Sequence, residues 1–421
     1  MSTSQTDKKH IWHPLTQHKT SDAPIPIARA KGAVLYGEDG KEYLDGIASW
    51  YTAIFGHCHP YILEKVSAQM KELDQVVFTG FTHKPATELA GKLFKILPEN
   101  QAKMFFNDNG STAVEAAIKM ALQYHHNKSR KRTSLIAFEN GFHGDTFGAM
   151  SASDLSIYNG PFREHLITVH RIPTPQEDTV EDVLKTLQEI ITNNDCAAFV
   201  YEPLVQGAAG MKMHSAKGLD AILSLCKQHD IITIADEVMT GFGKTGTHFA
   251  STQIDTLPDI MCLSKALTAG LLPMSLTTCT QNIFDAFFQD EVHKGFMHSH
   301  TYSANPLACA AASASIDLLI SPEMEGNKKR IYDKHKAFAK ALSQNAKAKN
   351  IRVKGIILAL ELDTPMERYG DLRQKLYSFF MDRGVCLRPL GNTIYLLPPL
   401  VTIDEQLDKM YAAIEEALAN F

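Results

Sequence analysis

The stretch DIMCLSKALTAG, residues 259–270, decides the fold. Ile260, Met261, Cys262 and Leu263 form a short apolar run, the pattern of a strand covered on both faces. The chain then places Lys265 where that strand should open into a loop. Burial disfavours the ammonium form of lysine and lowers its pKa, so a lysine there is suited to act as a neutral amine. The plain alternative is a strand-end lysine whose ammonium reaches solvent.

Outward from this stretch the pattern repeats. KMFFN (103–107), SLIAF (134–138), AAFVYE (197–202) and IITIAD (231–236) are further strand candidates. Most are separated by helical stretches: TAVEAAIKMALQYHHNK, VEDVLKTLQEIITNN and LDAILSLCKQH. Alternation of β and α on this scale predicts an α/β fold with a mainly parallel sheet between helices, and ligands outside the carboxyl ends of its strands. We expect this large domain to span residues 50–306. An N-terminal segment, 1–49, contains a hairpin pattern around EDGKEY and is expected to join a smaller α+β domain, 307–421.

Bulk properties narrow the function. A chain of 421 residues, 44% hydrophobic and 21% charged, suits a two-domain globular protein. A net charge of −5 supplies no basic field for nucleic acid or anionic membrane. Seven cysteines without CxxC pairing read as reduced core thiols. The start MSTSQTDKKH is polar, and no apolar run approaches the ~18 residues of a membrane span, so a cytoplasmic protein is expected. The pairs His57/His59 and His298/His300 lack carboxylates at ligand spacing, and no metal is expected.

Three strand-end features matter together. KMFFNDNGSTAVEAAIKMAL reads strand, turn, helix, with Thr112 and Glu115 in a capping-box pattern and Val114, Ala117, Ile118, Ala121 and Leu122 on one apolar face. Gly110 and Ser111 then lie at a helix N-terminus, where free N–H groups and the helix dipole favour an anion such as phosphate. Asp236 ends a buried strand, either as a solvated turn residue or as partner to a protonated ligand nitrogen. GFGKTG nearby is no P-loop, because position 238 is Val where that motif needs Gly, and no G-x-G-x-x-G follows the first strand. A phosphate cradle, an acid and a desolvated lysine match the needs of pyridoxal 5'-phosphate: aldehyde on the amine, ring nitrogen on the acid, phosphate on the helix end. A protein that binds this cofactor without turnover would be expected to lack the lysine or the aspartate, and both are present.

The chain resembles the class III pyridoxal-phosphate aminotransferases of fold type I along nearly its whole length. The motifs are IWHPLTQ, ASWYTAIFGHCHP, GFHGDTFGAMS, YEPLVQGAAGM, IADEVMTGFGKTG, CLSKALTAG, FMHSHTYSANPLACAAA and GVCLRPLGNTIYLLPP. They are most similar to the branch that serves biotin biosynthesis. The resemblance implies transfer of an amino group to 8-amino-7-oxononanoate, giving 7,8-diaminononanoate by a ping-pong mechanism, with S-adenosylmethionine as donor. It implies that Lys265 holds the cofactor aldehyde, Asp236 faces the pyridine nitrogen, and Gly110 and Ser111 bind the phosphate. Phe142 would stack on the ring, where relatives often carry Tyr. His300 and Thr301 would reach the phosphate in a neighbouring copy, implying a homodimer with shared active sites. Trp50, Tyr51, Phe142, Ser299, Arg388 and Tyr395 would form the substrate pocket, Arg388 meeting a carboxylate.

Two departures bear on the substrate. Ala208 stands where many ω-aminotransferases carry a glutamate that shields the pocket arginine, as the biotin branch implies. Leu15 stands where an aromatic stacks on the adenine of the donor. Lysine or another amine therefore remains open as donor, and an ω-amine:pyruvate transaminase is the alternative activity.

Overall fold

The structure, a computed structural model, describes residues 2–154 and 156–421. Its centre is a seven-stranded sheet in the order Gln101–Asn107, Ser275–Thr280, Ile260–Leu263, Ile232–Asp236, Cys196–Tyr201, Ser134–Phe138, Val169–Ile172. Ser275–Thr280 runs antiparallel to both neighbours, and the other strand pairs are parallel. The continuous apolar runs have the expected fate. Every residue of Ser134–Phe138, Cys196–Tyr201, Ile232–Asp236 and Ile260–Leu263 is buried.

The helix Gly110–Asn127 lies across this sheet on small residues. Ala113, Val114, Ala117, Ile118 and Ala121 are buried on the face that the sequence predicts, and Leu122 packs at its margin. Short side chains let the helix approach the strands closely, so its N-terminus is held at their carboxyl ends.

Two strands lie outside the apolar-run pattern. Val169–Ile172 is an edge strand, VHRI, with polar residues. Ser275–Thr280, SLTTCT, is central but rich in hydroxyls. Those hydroxyls are satisfied internally: Thr277 Oγ1 donates to Ala113 O at 2.8 Å and accepts from Asn107 Nδ2 at 3.0 Å. Thr278 Oγ1 donates to Gln101 Oε1 at 2.7 Å. Buried polar groups with such partners are tolerated, and threonine suits a strand.

The N-terminal hairpin forms as expected. Ile27–Lys31, Val34–Gly37 and Glu42–Asp45 are antiparallel, and Val385–Cys386 joins the last of them in parallel. Ala348–Lys354, Ile357–Leu362 and Thr393–Leu396 form a second C-terminal sheet. The helix Pro306–Leu319, read with the C-terminal part, packs instead on Lys84–Leu93, on Pro60–Gln69 and on the turn that carries Lys265. Ser315 Oγ donates to Ala266 O at 2.9 Å and ties it there. The cysteines are free; most are buried, but Cys58 is exposed, because a left-handed turn (φ 52°) carries it to the surface.

Thr277→Val should leave the fold intact while removing both hydroxyl contacts. We expect a loss of about 1–3 kcal/mol, read as a lower urea midpoint with an unchanged slope.

Candidate active site

After Leu263 the chain turns sharply. Lys265 takes a left-handed conformation (φ 51°) and opens a short 3-10 turn, Lys265–Thr268. Ser264 Oγ on Met274 O, at 3.1 Å, closes this turn and returns the chain into the antiparallel strand. Lys265 is partly buried, and its Nζ lies 4.9 Å from the centroid of the Tyr51 ring. It makes no ion pair among the described residues. Removal from water pushes its pKa down, opposed by the charges of Asp236 and Glu202. Burial thus acts toward the neutral amine expected from the sequence, and the two carboxylates act against it.

Asp236 ends its strand in register with Cys262, three residues before Lys265, so acid and amine share one edge of two adjacent strands. Asp236 is 4% exposed, not a solvated turn residue. Its Oδ2 accepts from His143 Nδ1 at 2.7 Å, and its Oδ1 accepts from the Val238 N–H at 3.1 Å. No lysine or arginine neutralises it among the described residues, so its charge is available to a cationic nitrogen. His143 is held in turn by its own N–H, which donates to Ser153 Oγ at 2.8 Å. Phe142 is adjacent in this loop and half-buried.

The helix N-terminus is capped one turn earlier than the sequence suggests. Asn109, not Thr112, is the cap: its side chain accepts from the Thr112 N–H at 3.1 Å, and Thr112 Oγ1 accepts from the Asn109 N–H at 3.1 Å. Asparagine competes well for this role because its carbonyl reaches the third amide of the helix. Glu115 is left free of the cap and instead accepts from Thr146 Oγ1 at 2.7 Å and from the Ala149 N–H at 3.1 Å. The amides of Gly110 and Ser111 keep no acceptor within the described chain, as an anion cradle requires. The approach is close. A Cβ on Gly110 would lie 2.8 Å from Val238 Cγ1, and one on Gly144 would run into Ser111. Ser111 Oγ is paired with Thr146 Oγ1 at 2.8 Å. Open amides, an acid without a lysine or arginine partner and an amine pushed by burial towards neutrality together fit pyridoxal phosphate.

Beside this cluster the chain adopts a backbone that no sequence pattern announces. Ala48, Ser49, Trp50 and Tyr51 are four consecutive left-handed residues, with φ of 46°, 48°, 66° and 73°. Each costs about 1–2 kcal/mol for an L-residue. Both flanks are clamped, by the Leu397 N–H on Gly46 O at 2.8 Å and the Leu400 N–H on Ile54 O at 2.7 Å. The turn buries Tyr51 and leaves Trp50 43% exposed. Tyr51 OH donates to Tyr395 OH at 2.9 Å, and the Arg388 guanidinium carbon lies 5.1 Å from the Trp50 ring. Burial pushes Tyr395 up to about 12 and raises Tyr51 well above the usual phenol range, so both stay protonated. Arg388 is exposed and has no carboxylate partner among the described residues.

Lys265, Asp236, Tyr51, Tyr395, Trp50 and Arg388 therefore meet, with Phe142, Gly110 and Ser111 on the adjoining loops. Ser299, His300 and Thr301 do not join them. That segment is bonded elsewhere, Thr301 O accepting from Gln75 Nε2 at 3.0 Å. Leu15 is 48% exposed and left-handed, apart from the cluster.

Two charged residues went unassigned. Glu202, directly after the strand Cys196–Tyr201, is 3% exposed, and burial pushes its carboxyl up to about 7. An acid ending a fully apolar strand is the same signal that marked Asp236. Lys244 is wholly buried; its Nζ donates to Gly241 O at 2.7 Å, and burial, then the charge of Lys265, push it down to about 7.

Residues 16–418 match the family described as "Aminotransferase class-III". The chain is 42% identical over 420 residues to an adenosylmethionine-8-amino-7-oxononanoate aminotransferase of Synechococcus elongatus, covering 97% of this chain and 98% of that one. A crystal structure of the enzyme of that name from Methanocaldococcus jannaschii superposes with a TM-score of 0.92 at 30% identity, covering 98% of each chain. An amine transaminase from an uncultivated Pseudomonas species, in its pyridoxal-phosphate-bound form, superposes with a TM-score of 0.90 at 30% identity, covering 97% and 98%. The chain belongs to the class III aminotransferases, enzymes of the pyridoxal-phosphate fold type I.

The buried Lys244 makes stability depend on pH. Its folded pKa lies below its unfolded value, so between them the unfolded chain binds the extra proton and stability rises with pH. In Lys244→Met we expect the slope of unfolding free energy from pH 7 to pH 10 to fall by about 1.4 kcal/mol per pH unit, measured by urea titration at each pH.

Proposed function

We propose that this class III aminotransferase moves an amino group onto C7 of 8-amino-7-oxononanoate, giving 7,8-diaminononanoate in biotin biosynthesis, with S-adenosylmethionine, lysine or another amine as donor. One observation carries the reading beyond the family: Arg388, without a carboxylate partner among the described residues, is held against Trp50 and acts on Tyr395 of the Lys265–Tyr51–Tyr395 cluster. The acceptor pairs an apolar chain with a terminal carboxylate remote from its ketone, and this arrangement presents an aromatic wall with a guanidinium at its end. Full-length likeness to enzymes named for this reaction supports it.

Pyridoxal phosphate, when bound, supplies an aldehyde to carry the amine and a ring that stabilises negative charge on the neighbouring carbon. The chain does the rest. Lys265 Nζ, as the neutral amine, takes the proton from the amine-bearing carbon of the donor, and in the second half it returns a proton to C7 of the acceptor. Asp236, fixed by His143 and the Val238 N–H, keeps the ring nitrogen protonated. The Gly110 and Ser111 amides would hold the phosphate, and Phe142 would lie beside the ring. Trp50, Tyr51 and Tyr395 exclude water along the acceptor chain, and Arg388 takes its carboxylate.

The same reading assigns Ser299, His300 and Thr301 to the site of a second copy in a homodimer. Exposed Met297 and Tyr302 flank that segment along the chain, and exposed Met70, Val77 and Phe81 belong to the stretch whose Gln75 bonds Thr301. Asn305 Nδ2 on Asp74 O, at 3.2 Å, joins the two stretches. Such an apolar patch suits a self-complementary interface. In this reading residues 50–306, with the helix Pro306–Leu319 packed on them, hold the cofactor while 1–49 and the rest of 307–421 flank it as the smaller domain. Leu15 leaves the donor to be decided by assay.

Lys265→Ala should fold and still bind the cofactor non-covalently, yet transfer no measurable amine. Substantial remaining activity would reject the assignment. Arg388→Ala should raise KM for 8-amino-7-oxononanoate about 10- to 100-fold and leave uncharged carbonyl acceptors unaffected. Rapid amination of pyruvate with no response to 8-amino-7-oxononanoate would favour the ω-amine:pyruvate alternative, and failure to restore biotin-independent growth to a strain lacking this step would count against the proposal.

A further inference from the structure

The motif YEPLVQGAAGM carries a buried acid, Glu202, that the reaction above does not use. Its two oxygens have different partners. Oε1 accepts from the Gly207 N–H at 2.9 Å, and Oε2 accepts from the Phe142 N–H at 3.2 Å. Gly207 begins the pocket wall that continues to Ala208; Phe142 belongs to the loop proposed to cover the cofactor ring. The backbone of Glu202 is fixed as well, since His214 Nε2 donates to its carbonyl at 3.0 Å, and burial holds that histidine neutral, near 4. Gly207 itself has no slack: a Cβ there would lie 3.1 Å from Met239 Cγ.

We propose that Glu202 is a positioning residue for amino transfer, its one carboxyl fastening the ring-covering loop at Phe142 to the substrate wall at Gly207. The two walls of the site then share an anchor, and neither can shift without the other. This rests on the proposed function for the roles of those walls.

The anchor depends on ionisation. A carboxylate offers lone pairs on both oxygens, whereas the acid carries a proton on one oxygen and so weakens that oxygen as acceptor for its backbone N–H. The charged or titratable groups that act on Glu202 are His143, Asp236, Lys265 and Tyr51. Burial and the like charge of Asp236 raise its pKa to about 7, while His143 and the two N–H bonds oppose the rise. The fully bonded form is therefore reached as pH climbs through about 7.

The test uses holoenzyme carrying Glu202→Gln, which preserves length and one acceptor but sets an NH2 group against one of the two backbone amides. We expect kcat/KM to fall about 10- to 100-fold, as misplacement of a bound reactant does. The visible circular dichroism of the bound cofactor, which reports how the ring is seated, should weaken. Wild-type kcat/KM should show an acid limb near pH 7, and in the variant that limb should vanish. A variant with wild-type dichroism and pH profile would overturn the proposal, as would one that merely melts at lower temperature with unchanged kinetics per folded molecule. Should Glu202→Gln not fold, Glu202→Asp decides. It keeps the charge one methylene short, so wild-type dichroism there would equally overturn the anchor. If 8-amino-7-oxononanoate is not a substrate, the proposed function fails, while Glu202 is still judged by dichroism and by any amine and keto acid pair the enzyme accepts.

Discussion

The parallel pairing of Ile232–Asp236 with Ile260–Leu263 is the constraint on which the site depends. It sets Asp236 opposite Cys262 and so holds an acid and an amine at one sheet edge, although 28 residues separate them along the chain. A slip of one residue would turn both side chains to the other face. The register is secured by full burial of both strands and by the antiparallel strand Ser275–Thr280, which Ser264 and Thr277 tie back to the turn and to the helix Gly110–Asn127. The rigid part of the molecule thus carries the reacting groups, and the loops only complete their surroundings.

The structure stores unfavourable conformation and charge around that edge. Lys265 and residues 48–51 occupy left-handed backbone that side chains resist. Asp236, Glu202 and Lys244 lose hydration. Each cost is met locally by named partners: His143 and the Val238 amide for Asp236, the Gly207 and Phe142 amides for Glu202, and the Gly241 carbonyl for Lys244. The result is an amine, Lys265, whose protonation is set by burial and near neighbours, beside an acid, Asp236, fixed by two hydrogen bonds.

Substrate choice is concentrated in a few positions beside this common machinery. The Pseudomonas amine transaminase shares the fold as fully as the Methanocaldococcus enzyme, so backbone shape alone does not choose an acceptor. Under the proposed function, the two departures at Ala208 and Leu15 are where the choice of substrate would be made.

Much was legible in the linear chain, for a definite reason. Lys265, Asp236 and the Gly110–Ser111 turn follow strands whose apolar runs are continuous because both faces are covered, so strand ends, and whatever stands at them, can be read directly. Glu202 carried the same mark. The strand SLTTCT was hidden because its burial rests on hydrogen bonds from Thr277 and Thr278 to distant residues, which composition does not reveal. The cap at Asn109 was misread because two capping patterns overlap and only the backbone geometry selects between them. The left-handed turn at 48–51, the meeting of Tyr51 with Tyr395 across 344 residues, and the seating of Arg388 on Trp50 were decided by tertiary structure alone. Local sequence encodes period and polarity. Contacts between distant segments, and backbone strain that only those contacts can hold in place, exist once the chain has folded.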